Sequence, residues 1–267
     1  MSSQLWVTAL RSAAVCEVVW LTTDGRARAV AATPLALDDR PVLAFAYAHA
    51  EVAREIGAAR QAAIVLSDRR MAGSGWQPLA VIGRPEVTED REGSLFTDAL
   101  LDQELRKHPP SRALADSILL RREHWWFLPR IVVAVEPDAV IPMAPRQGGA
   151  ADAVLGVSEM YDSGERLRVA TVGMGSAENA RFSVLPLGEG PLLGNDATPR
   201  PAVLLRHDFS VPDVERWSSW TAFGNLTDDV LDSADQRGSV VLPPPLGLLA
   251  RIRRQRMLAR ACRKALQ

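Results

Sequence analysis

Short apolar runs separated by turn-forming residues dominate the first half of the chain. Residues 15–21 (VCEVVWL) have the length and composition of a strand, the turn signal Asp24-Gly25 follows, and residues 28–37 form a second extended segment. This pattern predicts a β-hairpin. Further apolar runs predict three more strands, at residues 42–47, 62–66 and 78–88.

One helix interrupts these strands. Residues 51–60 place Val52, Ile56 and Ala59 on one face and charged residues on the other, which is the spacing of an amphipathic helix. Five strands with a helix between the third and the fourth predict a small closed barrel. The predicted fold class is therefore α+β and mainly antiparallel β.

Two helices and a sixth strand complete this predicted unit. Residues 89–107 and 111–119 have helical apolar spacing, and Pro109-Pro110 lies between them and ends the first helix. Residues 131–141 then provide the last strand of the barrel. Residues 142–152 (PMAPRQGGAAD) have the composition of a linker, so we predict a domain boundary there.

The order of these elements resembles the FMN-binding split-barrel superfamily, which includes pyridoxamine-phosphate oxidases, flavin reductases and deazaflavin-dependent reductases. The resemblance covers about half of the chain and is one of pattern and spacing. It is carried by four segments: the turn TDGR at 23–26, and the strands LAFAY at 43–47, AIVLSD at 63–68 and AVIGRPEV at 80–87.

The second half of the chain contains a weaker echo of the first. Residues 221–229 and residues 80–90 each combine a strand, a glycine and an acidic end, which favours a tandem of two split barrels. A small α+β domain of unrelated type stays open as the alternative. Predicted elements here are strands at residues 167–172, 182–187, 202–207 and 220–224, and a helical turn at residues 211–217.

Four parts are therefore predicted along the chain. They are a split-barrel FMN-binding-like domain at 1–141, a linker at 142–152, a degenerate split-barrel-like or other α+β domain at 153–245, and a basic helix at 246–267.

The resemblance implies a cofactor in the groove between two paired barrels. A homodimer of the first barrel is the simpler way to form this groove, and a tandem within one chain is the other. The phosphate-binding lysine or arginine of the family falls near Val52, which cannot bind phosphate; Arg54 lies two residues further on. This departure leaves FMN, a deazaflavin, haem and no cofactor as the alternatives.

Ten residues are candidates for cofactor binding. Arginines and a serine near the predicted groove are anion candidates: Arg28, Arg54, Ser67, Arg69 and Arg70. An aromatic and basic group follows: Trp76, Arg112, Arg121, His124 and Trp125. Each also has a structural interpretation: Arg54 pairs with Glu51 or Glu55, the Arg69-Arg70 loop is solvated, the indoles fill space, and His124 is a hydrogen-bonded structural histidine.

Charge separates the last helix from the rest of the chain. The whole chain has a formal net charge of −1, but its last twenty residues contain seven basic residues and no acidic one, which leaves −8 on residues 1–247. Docking of this helix on the acidic remainder is the favoured interpretation, over contact with nucleic acid, acidic lipid or an anionic partner.

Composition narrows the function further. No secretion signal or membrane-spanning run is recognisable, and Cys16 and Cys262 fit reduced structural thiols, so a soluble cytoplasmic protein is expected. We predict a flavin- or deazaflavin-dependent oxidoreductase acting on a small molecule, with no catalytic side chain assigned and no metal site. The alternative is a non-catalytic cofactor- or haem-binding regulatory protein.

Overall fold

Two sets of strands, each followed by helical or loop structure, make up the computed structural model, which describes residues 3–115, 124–147, 151–161, 164–189, 192 and 198–267. The first set contains seven strands: β1 (Cys16–Leu21), β2 (Ala27–Ala32), β3 (Leu35–Leu37), β4 (Arg40–Ala46), β5 (Ala62–Leu66), β6 (Leu79–Asp90) and β7 (Arg130–Pro142). The helices around them are α1 (Ser3–Ser12), α2 (Ala50–Ala58), α3 (Leu101–Lys107) and α4 (Pro110–Ala115).

The first sheet closes into a barrel through the chain itself. Its strand order is β2-β1-β5-β6-β7-β4-β3, with antiparallel neighbours throughout. The two edge strands β2 and β3 are separated only by Thr33 and Pro34, so the sheet must curl until its edges meet. The single strand predicted at residues 28–37 is thus broken at Pro34, which has no N–H to donate to a sheet.

Both faces of the central strands are buried, which explains their continuous apolar runs. Val18, Ile64 and Val81 point into the barrel core, whereas their neighbours Val19 and Ala63 join a second apolar cluster on the outer face. The outer face of this barrel is therefore a packing surface.

Helix boundaries differ from the prediction where strands run further than expected. Strand β6 continues to Asp90, so the helical segment predicted from residue 89 instead begins near residue 94, passes through a π-helical turn (Phe96–Leu100) and ends with α3. Helix α4 ends at Ala115 in the described part of the chain, and the remainder of the prediction at 111–119 lies outside the described residues.

The second set of strands forms a closed barrel. Its members are β8 (Asp152–Tyr161), β9 (Gly164–Glu178), β10 (Arg181–Pro186), β11 (Arg200–Phe209), β12 (Trp217–Thr227) and β13 (Val230–Gly238). The order β9-β8-β11-β12-β13-β10 repeats the order β2-β1-β5-β6-β7-β4 of the first barrel. Strands β8 and β13 were not predicted, and residues 211–216 form turns where a helical turn was predicted.

Hydrogen-bond registers align the two barrels residue by residue. Val18, Ile64 and Val81 are cross-strand neighbours in the first barrel, as Leu155, Leu204 and Ala222 are in the second. This alignment places Gly83 on Gly224, and each of these glycines lies at a bulge in its ladder. The repeat suggested by the two glycine-containing segments is therefore present in the fold.

The two barrels pack side by side through apolar outer faces. Val19, Ala63 and Ala80 of the first barrel share a buried cluster with Val154, Val169 and Val203 of the second. At Gly156 a Cβ atom would lie 2.3 Å from the Val19 side chain, so glycine permits the close approach. Two barrels of one chain are thus in direct contact, as the tandem alternative predicted.

A basic helix, α5 (Leu248–Leu266), follows the second barrel and packs on the first. Its Cys262 is fully buried and accepts a hydrogen bond from the Ala48 N–H at 3.2 Å. Among the described residues, no helix combines the length and apolar composition needed to cross a membrane. The predicted fold class, a mainly antiparallel split barrel with flanking helices, a second barrel and a basic C-terminal helix, is confirmed.

Candidate cofactor-binding cleft

A buried polar network crosses the junction between the barrels. Glu17 on β1 accepts hydrogen bonds from Ser67 at 3.0 Å and from His207 at 2.6 Å, and it pairs with Arg146, which also donates to Ser67 at 2.8 Å. Burial alone would raise the pKa of Glu17, but the Arg146 charge and the bonds from His207 and Ser67 lower this pKa to about 2. Glu17 is therefore held as a carboxylate inside the protein.

Arg70 extends this network across the two barrels. Its guanidinium bonds both oxygens of Asp68, at 3.1 and 2.7 Å, reaches Asp208 on β11, and lies 4.1 Å from the Phe209 ring centroid. The register alignment makes Asp68 and Asp208 equivalent positions of the repeat. Arg70 thus joins the same position of both barrels.

Ser67 and Arg70 were predicted to contact a cofactor, and the structure gives both of them protein partners instead. Ser67 is completely buried, and Arg70 is bonded to two carboxylates. The contacts of these two side chains within the described chain therefore contribute to the junction between the barrels.

A cleft of about 460 Å³ lies between the β1-β2 hairpin of the first barrel and strands β11, β12 and β13 of the second. The first barrel contributes the hairpin turn and two arginines, and the second contributes an aromatic ring and a polar strand. The charged and aromatic residues that line it are Asp24, Arg26, Arg28, Phe223, Asp235 and Arg237.

Arg28 has a distinct electrostatic position in this cleft. Arg26 pairs with Asp24 at 3.0 Å and Arg237 pairs with Asp235 at 2.9 Å. Arg28 has no carboxylate oxygen within 4.0 Å among the described residues, and its guanidinium lies 4.6 Å from the Phe223 ring centroid. The cleft therefore holds two cations in direct ion pairs and one, Arg28, that makes no direct ion pair with a described residue.

The equivalent arginine of the second barrel is not free in this way. Arg28 lies opposite Trp20 on β1, and Arg168 lies opposite Val157, which is the position equivalent to Trp20 on β8. Arg168 pairs with Glu159 at 3.4 Å. The position equivalent to Phe223 is Ile82, so the aromatic ring is also specific to the cleft at Arg28.

Three of the remaining predicted site residues lie away from this cleft. Arg54 on α2 pairs with Glu89 on β6 at 2.6 Å, a different partner from the two carboxylates predicted for it. Arg69 is exposed in the loop after β5. Arg112 is exposed on α4 and donates to the Leu105 carbonyl at 2.9 Å.

The loop before Trp76 is anchored to the body of the protein. The Gly73 N–H donates to the Ser12 carbonyl at 2.8 Å, and a Cβ atom at Gly75 would lie 2.7 Å from the Thr8 side chain. Trp76 itself packs against the hydrophobic core of the first barrel. These contacts hold the loop beside α1.

The aromatic segment that precedes β7 forms a short turn. Trp125 and Trp126 lie in a 3₁₀ turn (Trp125–Phe127), where Trp126 is buried in the core and Trp125 is half-buried beside Arg263. His124 precedes this turn, and Arg121 lies outside the described residues. A cleft next to Trp125 is lined by Glu92 and Asp98 and by no basic residue in the described chain, which does not suit an anion.

Several residues of the junction and the cleft were not predicted from the sequence. Phe223 lies within the repeated glycine segment, and comparing it with Ile82 at the equivalent position would have drawn attention to it. Arg146 lies in the segment predicted as a linker, and nothing local indicates its burial. Glu17 is one polar residue in an apolar strand, which is itself a signal that a buried partner exists.

Comparisons with known proteins add relatives at the level of structure only. No family model matches the chain, and no curated protein matches it in sequence. Similar solved structures include an FAD- and haem-binding protein from Mycobacterium smegmatis, with 17% identity, 66% of this chain and 85% of that chain covered, and a TM-score of 0.37.

Two further similar structures span more of the chain. A haem-binding protein from Mycobacterium smegmatis has 11% identity, 99% and 98% of the two chains covered, and a TM-score of 0.36. A pyridoxamine 5'-phosphate oxidase-related, FMN-binding protein from Nostoc punctiforme has 12% identity, 83% and 92% covered, and a TM-score of 0.29. No residue's role transfers at such identities and scores.

Proposed function

We propose that the chain binds a flavin-type cofactor, FMN or a deazaflavin, in the cleft between its two barrels and acts as an oxidoreductase on a small molecule. The observation that carries this proposal is Arg28, a guanidinium in an inter-barrel cleft with no carboxylate partner among the described residues. A planar guanidinium fork is the side chain best suited to bind a phosphate or carboxylate group through two parallel hydrogen bonds.

The size and charge of the cleft fit such a ligand. Its volume of about 460 Å³ lies within the range of roughly 300–1,000 Å³ that small-molecule sites occupy. Asp24 and Asp235 are already paired with arginines, so their charges do not oppose an anion as free carboxylates would.

The absence of the family's phosphate residue near Val52 is consistent with this assignment. Arg54, the nearest basic side chain in sequence, is engaged with Glu89 at 2.6 and 3.0 Å. Anion binding on that helix would have to break this pair, whereas binding at Arg28 breaks none among the described residues. We therefore assign the anion contact to β2 and leave α2 without a role in it.

Haem fits the same cleft less well. Haem iron in proteins is bound by histidine, cysteine, methionine or tyrosine, and none of the described residues that line the cleft is of these types. His207 lies on β11, the strand that contributes Pro201 and Ala202 to the cleft. It is itself buried and bonded to Glu17. A flavin needs no axial ligand, so the lining favours a flavin.

The chemistry divides between ligand and protein. A bound flavin or deazaflavin supplies hydride transfer. The chain contributes Arg28 as the anion contact and the Phe223 ring, against which Arg28 packs, as one side of the cleft. The packed apolar faces of the barrels exclude water from the junction. No lining side chain is required to move a proton in this scheme.

Direct titration tests the proposal. The purified protein would be titrated with FMN, with a deazaflavin and with haem, following flavin fluorescence or haem absorption. Arg28→Gln should weaken flavin binding by roughly 10- to 100-fold, because a hydrogen bond to a charged group contributes about 1.5–3 kcal/mol. The matched control Arg54→Gln, which removes an arginine outside the cleft, should change the affinity by less than about twofold.

Three outcomes would contradict the proposal in different ways. No binding of any flavin would remove it entirely. Haem binding without flavin binding would favour the haem-binding alternative. A bound flavin that NADH, NADPH and a reduced deazaflavin all fail to reduce would indicate a non-catalytic binding protein.

A further inference from the structure

Exposed apolar side chains concentrate in one short stretch of the chain. Six of the large exposed apolar residues of the described chain lie between residues 241 and 257: Val241, Leu246, Leu248, Leu249, Ile252 and Met257. Val241, Leu248 and Leu249 are each more than 70% exposed. Single exposed apolar residues are normal on a protein surface, but a cluster of this kind marks an interaction site.

The same stretch is strongly basic. Arg251, Arg253, Arg254 and Arg256 are all exposed on the first half of α5, and no acidic residue occurs after Asp235 in the sequence. Only Arg251 has an ion pair within the described chain, to Glu215 at 2.8 Å. Arg253, Arg254 and Arg256, which lie among these exposed apolar residues in the sequence, therefore make no ion pair with a described residue.

The two halves of helix α5 differ in apolar burial. In its second half Leu258, Ala259, Cys262 and Leu266 pack against the first barrel. In its first half Leu248 and Ile252 follow the same helical face but are exposed, and Arg251 pairs with Glu215 at 2.8 Å. We define the free tip as residues 241–257.

We propose that the free tip binds an anionic lipid surface. Apolar side chains at the end of a helix, with arginines around them, suit the boundary between acyl chains and phosphate headgroups. The arginine stems lie along apolar surface while their guanidinium groups reach the phosphates. Both exposed features of the free tip are accounted for by this one partner.

Two other partners explain only part of the observations. Nucleic acid accounts for the arginines but leaves the exposed leucines unexplained. A protein groove that receives a helix needs apolar positions over about three turns, and the second half of α5 has already used those positions against its own barrel. The lipid surface is therefore the partner that the contacts favour.

Vesicle sedimentation with the full chain tests this inference. Vesicles of phosphatidylcholine alone would be compared with vesicles of equal parts phosphatidylcholine and phosphatidylglycerol. The protein should bind the mixed vesicles, and the binding should weaken as salt is raised. The double variant Leu248→Ser/Leu249→Ser should reduce binding at least tenfold, and Arg253→Gln should reduce it about fivefold.

Matched controls separate the free tip from general surface effects. Met160→Ser removes a side chain that is 77% exposed on the second barrel, and Arg181→Gln removes an exposed arginine there; both should bind vesicles as the unmodified protein does. Circular dichroism should show the same fold for all variants, because every substituted side chain is exposed.

Each other result would overturn the inference. Failure to bind mixed vesicles at low salt would do so directly. Binding that the leucine variant leaves unchanged would reduce the interaction to charge alone, and tighter salt-sensitive binding of an oligonucleotide would then assign it to nucleic acid. Self-association in light scattering that the leucine variant abolishes would assign the free tip to a second copy of the chain.

Discussion

Arg146 shows how much a single side chain contributes to the junction between the barrels. It is completely buried, it pairs with Glu17, and it donates to Ser67 and to the Asp152 carbonyl. A buried carboxylate that loses its cation keeps the full cost of desolvation. The network therefore depends on both charges being present together.

We predict that Arg146→Met destabilises the protein by about 3–5 kcal/mol, because it leaves Glu17 buried without its cation. The double variant Glu17→Leu/Arg146→Met should recover much of this loss, since it removes both charges. Urea denaturation measures both values. Arg54→Met, which breaks an exposed pair, is the control and should cost no more than about 1 kcal/mol; a similar cost for Arg54→Met and Arg146→Met would contradict this account.

Glu17 also gives the protein a defined acid sensitivity. Its pKa falls from 4.5 to about 2 on folding, so the native state binds its proton less readily than the unfolded state does. This contribution, about 3 kcal/mol, is present above the unfolded pKa and is lost as the pH falls toward 2.

We predict that the free energy of unfolding decreases between about pH 5 and pH 2, and that Glu17→Gln flattens this part of the profile. Urea denaturation at a series of pH values measures the slope for both proteins. A variant that retains the full slope would assign the acid sensitivity to other carboxylates.

At the scale of elements, the two bulge glycines lie where the backbone of a neighbouring strand leaves no room for a side chain. A Cβ atom at Gly83 would lie 1.8 Å from the Glu136 carbonyl oxygen, and one at Gly224 would lie 1.9 Å from the Asp232 carbonyl oxygen. The obstacle is backbone in both cases, so a rotamer change cannot relieve it. The equivalent strands β6 and β12 of the two barrels thus both require glycine at the bulge.

We predict that Gly83→Ala and Gly224→Ala each destabilise the protein by at least about 2 kcal/mol, the middle of the range for overpacking. Gly247→Ala, where no atom lies within 4 Å of the added Cβ, should stay within about 0.5 kcal/mol of the unmodified protein. Midpoints of urea denaturation provide the comparison. Tolerance of alanine at either bulge would mean that the strands separate there at little cost.

Helices and strands whose own residues show a clear pattern were predictable from the sequence. Elements whose conformation is decided by contacts with distant residues were not. The run VCEVVWL is apolar because both faces of the strand are covered. Its length and composition predicted a strand, but they did not show that one face lies in the barrel core and the other against the second barrel. Strand β8 begins at Asp152, within the segment assigned to a linker, and its pairing with β9 and β11 decides its conformation. Trp125 and Trp126 have strand propensity, yet the core contact of Trp126 is made from a 3₁₀ turn.

For the whole molecule, the packed interface makes the two barrels a single structural unit. Their outer faces share a continuous apolar cluster, and the Glu17 and Arg70 networks cross between them. Neither outer face could be exposed to water without losing this burial. The cleft residues Arg28 and Phe223 are 195 positions apart in sequence, which is why sequence periodicity alone could not bring them together.

We predict that the two barrels unfold in one cooperative transition. Tryptophan fluorescence, with Trp20 in one barrel and Trp217 in the other, should give the same urea midpoint as far-UV circular dichroism. Val19→Asp, which puts a charge in the shared cluster, should lower both midpoints together. Two separate transitions would contradict the single unit.

The different surroundings of Arg28 and Arg168 lead to a prediction of how many flavin molecules one chain binds. Two identical barrels related by a two-fold axis would present two matching grooves and saturate at two equivalents. Here one arginine of the pair, Arg168, shares the Glu159 carboxylate with Arg200, and isoleucine replaces phenylalanine at the facing position. A binding isotherm for the proposed flavin should accordingly end at one equivalent per chain, although the fold contains two barrels.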